Sequence, residues 1–161
     1  MNTRMIEVEN LSFSYGRRKS KVLEDFSMKL DKGSVYGLLG KNGTGKSTLL
    51  YLMAGLLRSQ TGNVLYKGVD VKKRYPDTLQ DMFLVPEEFA LPNVSLKQYV
   101  KLNAPFYPNF SDELLNACLR DFDMNVDIHL GELSMGQKKK AFMCFALATN
   151  TSLLMMDEPT N

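Results

Sequence analysis

Residues 40–47 read GKNGTGKS, and how that stretch is read decides the fold. Gly40, Gly45, Lys46 and Ser47 occupy the fixed positions of the pattern GxxxxGK[ST]. The pattern carries meaning only where it follows a strand and opens a helix. Both flanks fit. Residues 34–40, SVYGLLG, are nearly all apolar, as a strand buried on both faces is. In the following GKSTLLYLMAGLLRS, Leu49, Leu52, Met53 and Leu56 share one face of an expected helix. Glycines let the backbone curl so that successive N–H groups point at phosphate oxygens, and the helix adds its positive end. Gly40, Lys41, Asn42, Gly43, Thr44, Gly45, Lys46, Ser47 and Thr48 are thus the candidate cradle for a nucleoside triphosphate. Lys46 would reach the β- and γ-phosphates and the Ser47 hydroxyl would ligate Mg²⁺.

Working outward, the N-terminal side reads as strands. Ile6, Val8, then Leu11, Phe13 and Tyr15 alternate with polar residues, with a slip at Glu9 and Asn10. Phe26, Met28 and Leu30 alternate again before the turn Asp31-Lys32-Gly33. Residues 62–71, GNVLYKGVDV, have glycines placed for a hairpin. FLVPEE at 83–88 reads as a short strand stopped by Pro86.

From about Leu91 to Leu130 the pattern changes to a small helical lobe inserted in an α/β core. Ser95 and Ser111 stand where helix N-caps would. Leu96, Tyr99 and Val100 make one stripe, and Leu114, Leu115, Cys118, Leu119 and Phe122 another. The lobe's Tyr99, Phe106, Tyr107 and Phe110 are either core or a partner surface. A further helix from Ser134 to about Ala148 leads into the strand SLLMMD.

Composition sets limits. At 161 residues the chain would bury roughly 68–70% of its unfolded surface, enough for a sizeable core. It is 44% hydrophobic and 24% charged with a net charge of +2, which gives no electrostatic case for nucleic acid. The basic runs at 17–19, 72–74 and 138–140 are short and read as solvated surface. Cys118 and Cys144 form no CxxC and suggest no disulfide framework, as in a reducing compartment. The longest apolar run, 49–57, is about half of what a membrane span needs. MNTRMIEVEN holds no apolar signal segment, so the expectation is a cytosolic chain that meets a membrane only through a partner.

Two stretches and one residue narrow the class. In ELSMGQKKK, Ser134 and Gln137 have capping-box spacing, which is a helix start. The same geometry also offers a hydroxyl and free N–H groups to an anion, and the two readings stand level. In LLMMDE, Asp157 ends a buried strand where a carboxylate can hold Mg²⁺, and Glu158 beside it can poise a water for in-line attack on a γ-phosphate. Tyr15 ends the first strand, either as an adenine-stacking aromatic or as a plain strand tyrosine.

Taken together, Tyr15, GKNGTGKS at 40–47, LSMGQ at 133–137 and LLMMDEPTN at 153–161 resemble the ATP-binding cassette family of transporter nucleotide-binding domains. The resemblance covers the whole chain in the right order. It implies a P-loop NTPase (RecA-like) parallel-sheet core with an N-terminal antiparallel β subdomain and an inserted helical lobe. It sets boundaries at 1–87 for the β subdomain and Walker A core, 88–132 for the lobe, and 133–161 for the signature helix and Walker B strand. The family's cofactors are ATP and Mg²⁺. Two cassettes clamp head to tail, so Leu133, Ser134, Met135, Gly136 and Gln137 would act in trans on the partner's ATP. Glu158 would be the general base, Lys46 the phosphate clamp, and Ser47, Asp157 and Glu87 the metal ligands. Integral membrane subunits would dock on the lobe, placing the chain at the inner face of the cell membrane. The lobe looks most like those of bacterial exporters.

The chain departs from the pattern in places. Glu87 replaces the family's glutamine and adds negative charge beside the phosphates. Met135 replaces the signature's first glycine, and Lys140 stands where arginine is favoured. His129 precedes Walker B, cannot be the family's switch histidine, and reads as a polar residue on the lobe's return path. The family places a further strand, between the Walker A and Walker B strands, after the stretch that ends at Asn161. The C-terminal part of the core is therefore expected to be missing and turnover to be impaired. A soluble cassette ATPase and a nucleotide-binding piece without catalysis are the alternative readings.

Overall fold

The computed structural model describes residues 4–16 and 20–159. The chain divides into two compact units, Met1–Leu79 and Gln80–Asn161.

The first unit holds β1 (Arg4–Phe13), β2 (Leu23–Asp31), α1 (Lys46–Met53), β3 (Thr61–Tyr66), β4 (Val69–Asp70) and the single turn α2 (Pro76–Leu79). Its sheet runs β2-β1-β3-β4, antiparallel at every pairing. Ile6, Val8, Leu11 and Phe13 form the inward face of β1, and all four are buried. The slip at Glu9 and Asn10 is a bulge. Register with β2 shifts between Val8 and Leu11, and Asn10 takes a φ of 46°. Its N–H donates to Ser27 Oγ at 2.9 Å and its Nδ2 to Asp25 Oδ1 at 2.8 Å. On the neighbouring strand, a Cβ at Gly62 would strike the carbonyl oxygens of Glu9 and Asn10, so only glycine passes the bulge. The expected hairpin joins β3 to β4, with Lys67 at φ 48° and Gly68 at φ 81°, the positive pair that a two-residue turn needs.

Two expectations fail in this unit. Helix α1 was expected to carry Leu56 on its buried face. The helix stops at Met53 instead, and Leu56 is 57% exposed. Gly55 turns left-handed at φ 68°, its N–H bonds to Leu52 O at 3.1 Å, and Leu56 N–H reaches back to Tyr51 O at 2.9 Å. That pair of bonds is a Schellman end. Residues 34–40, expected as a strand buried on both faces, lie in no ladder and are exposed throughout. A strand exists through its neighbours, and none pairs with these residues among those described. The stretch is left as exposed chain, with the Gly40 carbonyl taken by Lys46 Nζ at 2.7 Å.

The second unit pairs β5 (Met82–Val85) with β6 (Leu153–Met156) in parallel, Met82 opposite Leu153 and Val85 opposite Met156. Between them run α3 (Leu96–Asn103), α4 (Asp112–Asp121) and α5 (Met135–Ala148). Ser95 Oγ accepts from Gln98 N–H at 3.2 Å, and Gln98 Oε1 from Ser95 N–H at 3.3 Å, a full capping box. Ser111 Oγ accepts from Leu114 N–H at 3.2 Å, with Asp112 and Glu113 placed at the positive end of α4. The lobe core gathers Leu96, Leu115, Leu119, Leu130, Ala141 and Cys144.

The α4 stripe is narrower than read. Leu115, Cys118 and Leu119 face inward, while Leu114 and Phe122 are 45% and 38% exposed at its rim. Of the four lobe aromatics, three are core: ring centroids lie 5.1 Å apart for Tyr99 and Phe145, 5.4 Å for Tyr107 and Phe83, and 5.4 Å for Phe110 and Phe145. Phe106 is exposed. His129 forms an isolated bridge with Ser95, and its Nδ1 is buried without a hydrogen bond to any described residue. Cys144 Sγ lies 2.7 Å from Cys118 Sγ, both residues being free thiols. No helix among the described residues is long and apolar enough to cross a membrane.

The basic runs are not simply solvated. Lys72 Nζ donates to Gly62 O at 3.0 Å and Arg74 Nη1 to Gly55 O at 2.7 Å. Lys140 Nζ stands 5.2 Å from the Phe122 ring centroid. Each cation closes a carbonyl or covers a ring that the fold leaves within its reach. The run at 17–19 lies outside the described residues.

Candidate functional site

The first unit carries the glycine loop. Gly43 at φ 80° and Gly45 at φ 95° adopt the left-handed backbone that side chains resist. A Cβ on Gly45 would sit 2.8 Å from Val22 Cγ1, and one on Gly40 2.8 Å from Thr44 Oγ1. Thr44 folds the loop inward, donating its N–H (3.3 Å) and its hydroxyl (2.8 Å) to Lys41 O. Lys46 Nζ donates to the carbonyls of Gly40 at 2.7 Å and Lys41 at 3.2 Å, so the ammonium is held over the loop. Gly45, the N-cap of α1, has no side chain to cap with. The first N–H groups of any helix find no acceptor within the helix itself. An ammonium, the helix-start amides and the positive end of a helix lie together where an anion of phosphate shape fits.

Tyr15 reaches this loop. Its hydroxyl lies 2.8 Å from Thr48 Oγ1, and its ring meets Phe13 edge-on at 4.9 Å. The side chain is 56% exposed. Asn42, for its part, is an exposed loop residue.

The second unit carries the remaining candidates. Ser134 caps α5: its Oγ accepts from Gln137 N–H at 3.3 Å, and Gln137 Oε1 accepts from Ser134 N–H at 3.0 Å. That box satisfies the N–H of Gln137, while the Met135 and Gly136 amides lie at positions with no intrahelical acceptor. The helix start and the anion site are therefore compatible. Leu133 is half-buried and packs on the lobe core. Met135 is 65% exposed and projects at the helix tip.

Asp157 follows β6. Its N–H extends the ladder by one bond, to Val85 O at 2.9 Å. The residue is 3% exposed, and its Oδ2 is buried with no hydrogen-bond partner among the described residues. A buried carboxylate oxygen without a donor is costly, and a hard divalent cation is the ligand such an oxygen suits. Glu158 comes next, half-buried with φ 43°. Because Val85 and Met156 are opposite one another, Glu87 leaves the same end of the strand pair as Asp157 and Glu158, exposed to solvent. The glycine loop and Tyr15 belong to the first unit, and the carboxylates and Ser134 to the second.

One contact was not foreseen from the residues. Lys139 Nζ donates to the backbone carbonyl of Glu158 at 2.7 Å. Its place in the run KKK gave no sign of this.

With that geometry established, comparison with known proteins is specific. A family model described as ABC transporter matches residues 23–161. The chain is 32% identical over 158 residues to the ABC transporter ATP-binding protein YtrB of Bacillus subtilis, covering 98% of this chain and 53% of that protein. It is 32% identical over 169 residues to the zinc uptake system ATP-binding protein ZurA of Listeria innocua, covering 98% and 65%. A solved ATP binding subunit of an ABC transporter superposes with a TM-score of 0.84 at 26% identity, covering 97% of this chain and 67% of that one. The chain thus spans about half to two thirds of the length of these relatives. Its fold is the α/β P-loop NTPase fold, and the chain belongs to the ABC transporter family.

Proposed function

We propose that the chain is the ATP-binding part of a cassette that hydrolyses ATP to drive transport across a membrane. The observation that carries this reading is the loop at 40–47, with Lys46 folded over it and α1 uncapped behind it. Lys46 and the amides of Gly43, Thr44, Gly45, Lys46, Ser47 and Thr48 bind the β- and γ-phosphates. Gly40, Lys41 and Asn42 shape the rim, and Tyr15 stacks on the adenine. Ser47, Asp157 and Glu87 would hold Mg²⁺, which supplies charge compensation to the phosphates when bound. Glu158 takes the proton from the attacking water. Leu133, Ser134, Met135, Gly136 and Gln137 present the tip of α5 to the ATP of a second cassette. The lobe at 88–132, which in sequence separates the nucleotide core of 1–87 from the catalytic segment of 133–161, docks membrane subunits. The protein works at the cytoplasmic face of the membrane, without nucleic acid. The exporter-like lobe favours export, whereas ZurA is named for uptake.

A second reading, nucleotide binding without turnover, is favoured by the exposed and unpaired residues 34–40 that lead into the loop. The test is equilibrium binding of Mg·ATP followed by calorimetry and thermal stabilisation, with Lys46→Ala as the control. Saturable binding that the variant loses supports the assignment, since a ligand that binds only the folded state stabilises it. Equal heats from both proteins would remove it. ATP turnover by the full-length gene product, abolished by Glu158→Gln, separates the first reading from the second.

A further inference from the structure

Glu158 sits in a backbone conformation that its own sequence opposes. It is a non-glycine residue at φ 43°, and left-handed backbone costs such residues energy. The next residue is Pro159, and a residue before proline is pushed toward extended backbone near φ −120°. Both local preferences therefore point away from the observed geometry. Strain of this kind persists only where the surroundings over-determine it.

Among the described residues, two hydrogen bonds reach the backbone here. On the upstream side, Asp157 N–H is bonded to Val85 O at 2.9 Å, which pins the chain to β5. On the downstream side, the Glu158 carbonyl accepts from Lys139 Nζ at 2.7 Å. The amide between Glu158 and Pro159 has no N–H, so that carbonyl is its only polar group. A charge-assisted bond to it is stronger than a neutral one. Lys139 lies in α5, five residues after the Ser134 cap, and is half-buried rather than free to wander.

Resting on the ATPase reading above, we infer that Lys139 is the positioning residue for Glu158. Its ammonium grips the Glu158 carbonyl, holds the residue left-handed against its preference, and so sets the direction in which the carboxylate leaves the backbone. Lys139 is not itself a catalytic residue. Through it, a displacement of the signature helix α5 is transmitted to the general base within the same chain.

The experiment uses the full-length gene product and compares Lys139→Met, Lys139→Gln and Lys139→Arg with an exposed control in the turn after β2, Lys32→Met. Two quantities are read: the ¹³C resonance of the Glu158 carbonyl, and steady-state ATP hydrolysis alongside ATP binding. In Lys139→Met and Lys139→Gln the carbonyl resonance moves upfield, and kcat falls on the order of tenfold to hundredfold, the penalty of a misplaced reacting group. KM and the Kd for ATP stay within about twofold, because an interaction used only in the chemical step is lost. Lys139→Arg restores both readouts, and Lys32→Met changes neither. A carbonyl resonance unmoved by loss of the ammonium overturns the inference. So does a moved resonance with kcat unchanged, provided Glu158→Gln abolishes turnover; the ATPase reading then stands alone. If Glu158→Gln turns over as fast as the unaltered protein, the general base is misassigned and the inference falls with it.

Discussion

The hydroxyl of Tyr15 lies 2.8 Å from the hydroxyl of Thr48, which is 5% exposed in the first turns of α1. The aromatic at the end of β1 is thereby tied to the helix behind the phosphate loop. Removing only the hydroxyl separates this contact from the proposed stacking on adenine. Tyr15→Phe leaves Thr48 Oγ1 short of a partner and should cost about 0.5–1.5 kcal/mol of stability. The ring survives, so ATP affinity should hold. Tyr15→Ala also removes the stacking face and should weaken ATP about tenfold, at the low end of base-stacking energies. Calorimetric titration with urea denaturation checks both. An unchanged ATP Kd in Tyr15→Ala would mean that the tyrosine is structural only.

Gly55→Ala should destabilise the chain by more than about 1 kcal/mol, because a left-handed residue gains a Cβ. That Cβ would also lie 2.7 Å from Val71 O. Gly68→Ala is the matched comparison, with φ 81° and nothing within 4 Å of the added carbon. Its loss should be smaller by whatever the Val71 clash contributes. Equal denaturation midpoints for the two variants would show that the Val71 carbonyl gives way at no cost.

What was legible in the sequence was local. The glycine loop, the Ser95, Ser111 and Ser134 caps, the turn at Lys67 and Gly68, and the strands β5 and β6 each follow from neighbours within a few residues. Gly55 was legible in principle, but the apolar Leu56 beyond it drew the helix too far. Non-local features were not legible. Residues 34–40 have a strand's composition, yet a strand needs a ladder that composition cannot supply. Lys139 meets the carbonyl of a residue 19 positions away, and Cys118 a thiol 26 positions away. Neither lysine nor cysteine carries a pattern that names its distant partner.

Asp157→Asn should raise the stability of the ligand-free chain by on the order of 1 kcal/mol, since a neutral amide is cheaper to bury than a carboxylate without a donor. The residue is 3% exposed and its Oδ2 has no partner among the described residues. The same change should erase the effect of Mg²⁺ on nucleotide binding. At a hundredfold excess over Kd, Mg·ATP should stabilise the unaltered chain by about 2.7 kcal/mol. In the variant, ATP with magnesium and ATP with chelator should stabilise equally. Denaturation under the four conditions reads this directly. A magnesium effect that survives the substitution would move the metal ligand elsewhere.

The Cys118 and Cys144 pair makes stability depend on pH in a definable window. Burial first, then the hydrogen bond to Cys118, pushes the Cys144 thiol well above its ordinary value of 9.0. The folded state therefore keeps a proton that the unfolded chain releases near 9. The unfolded state binds fewer protons above that point, so stability falls as pH rises, by about 1.4 kcal/mol per pH unit for one group. Below pH 9 the term is flat and its contribution is fully present. Tyr99 and Tyr107 are also raised by burial, from an ordinary 10.0, so their similar losses begin one unit higher. Between pH 9 and 10 the cysteine is thus the separable contributor. Urea midpoints across that interval should slope downward in the unaltered chain and level out in Cys144→Ala. Parallel slopes in the two proteins would show that the thiol ionises as freely in the lobe as in the unfolded chain, and that its contact with Cys118 does not hold the proton in place.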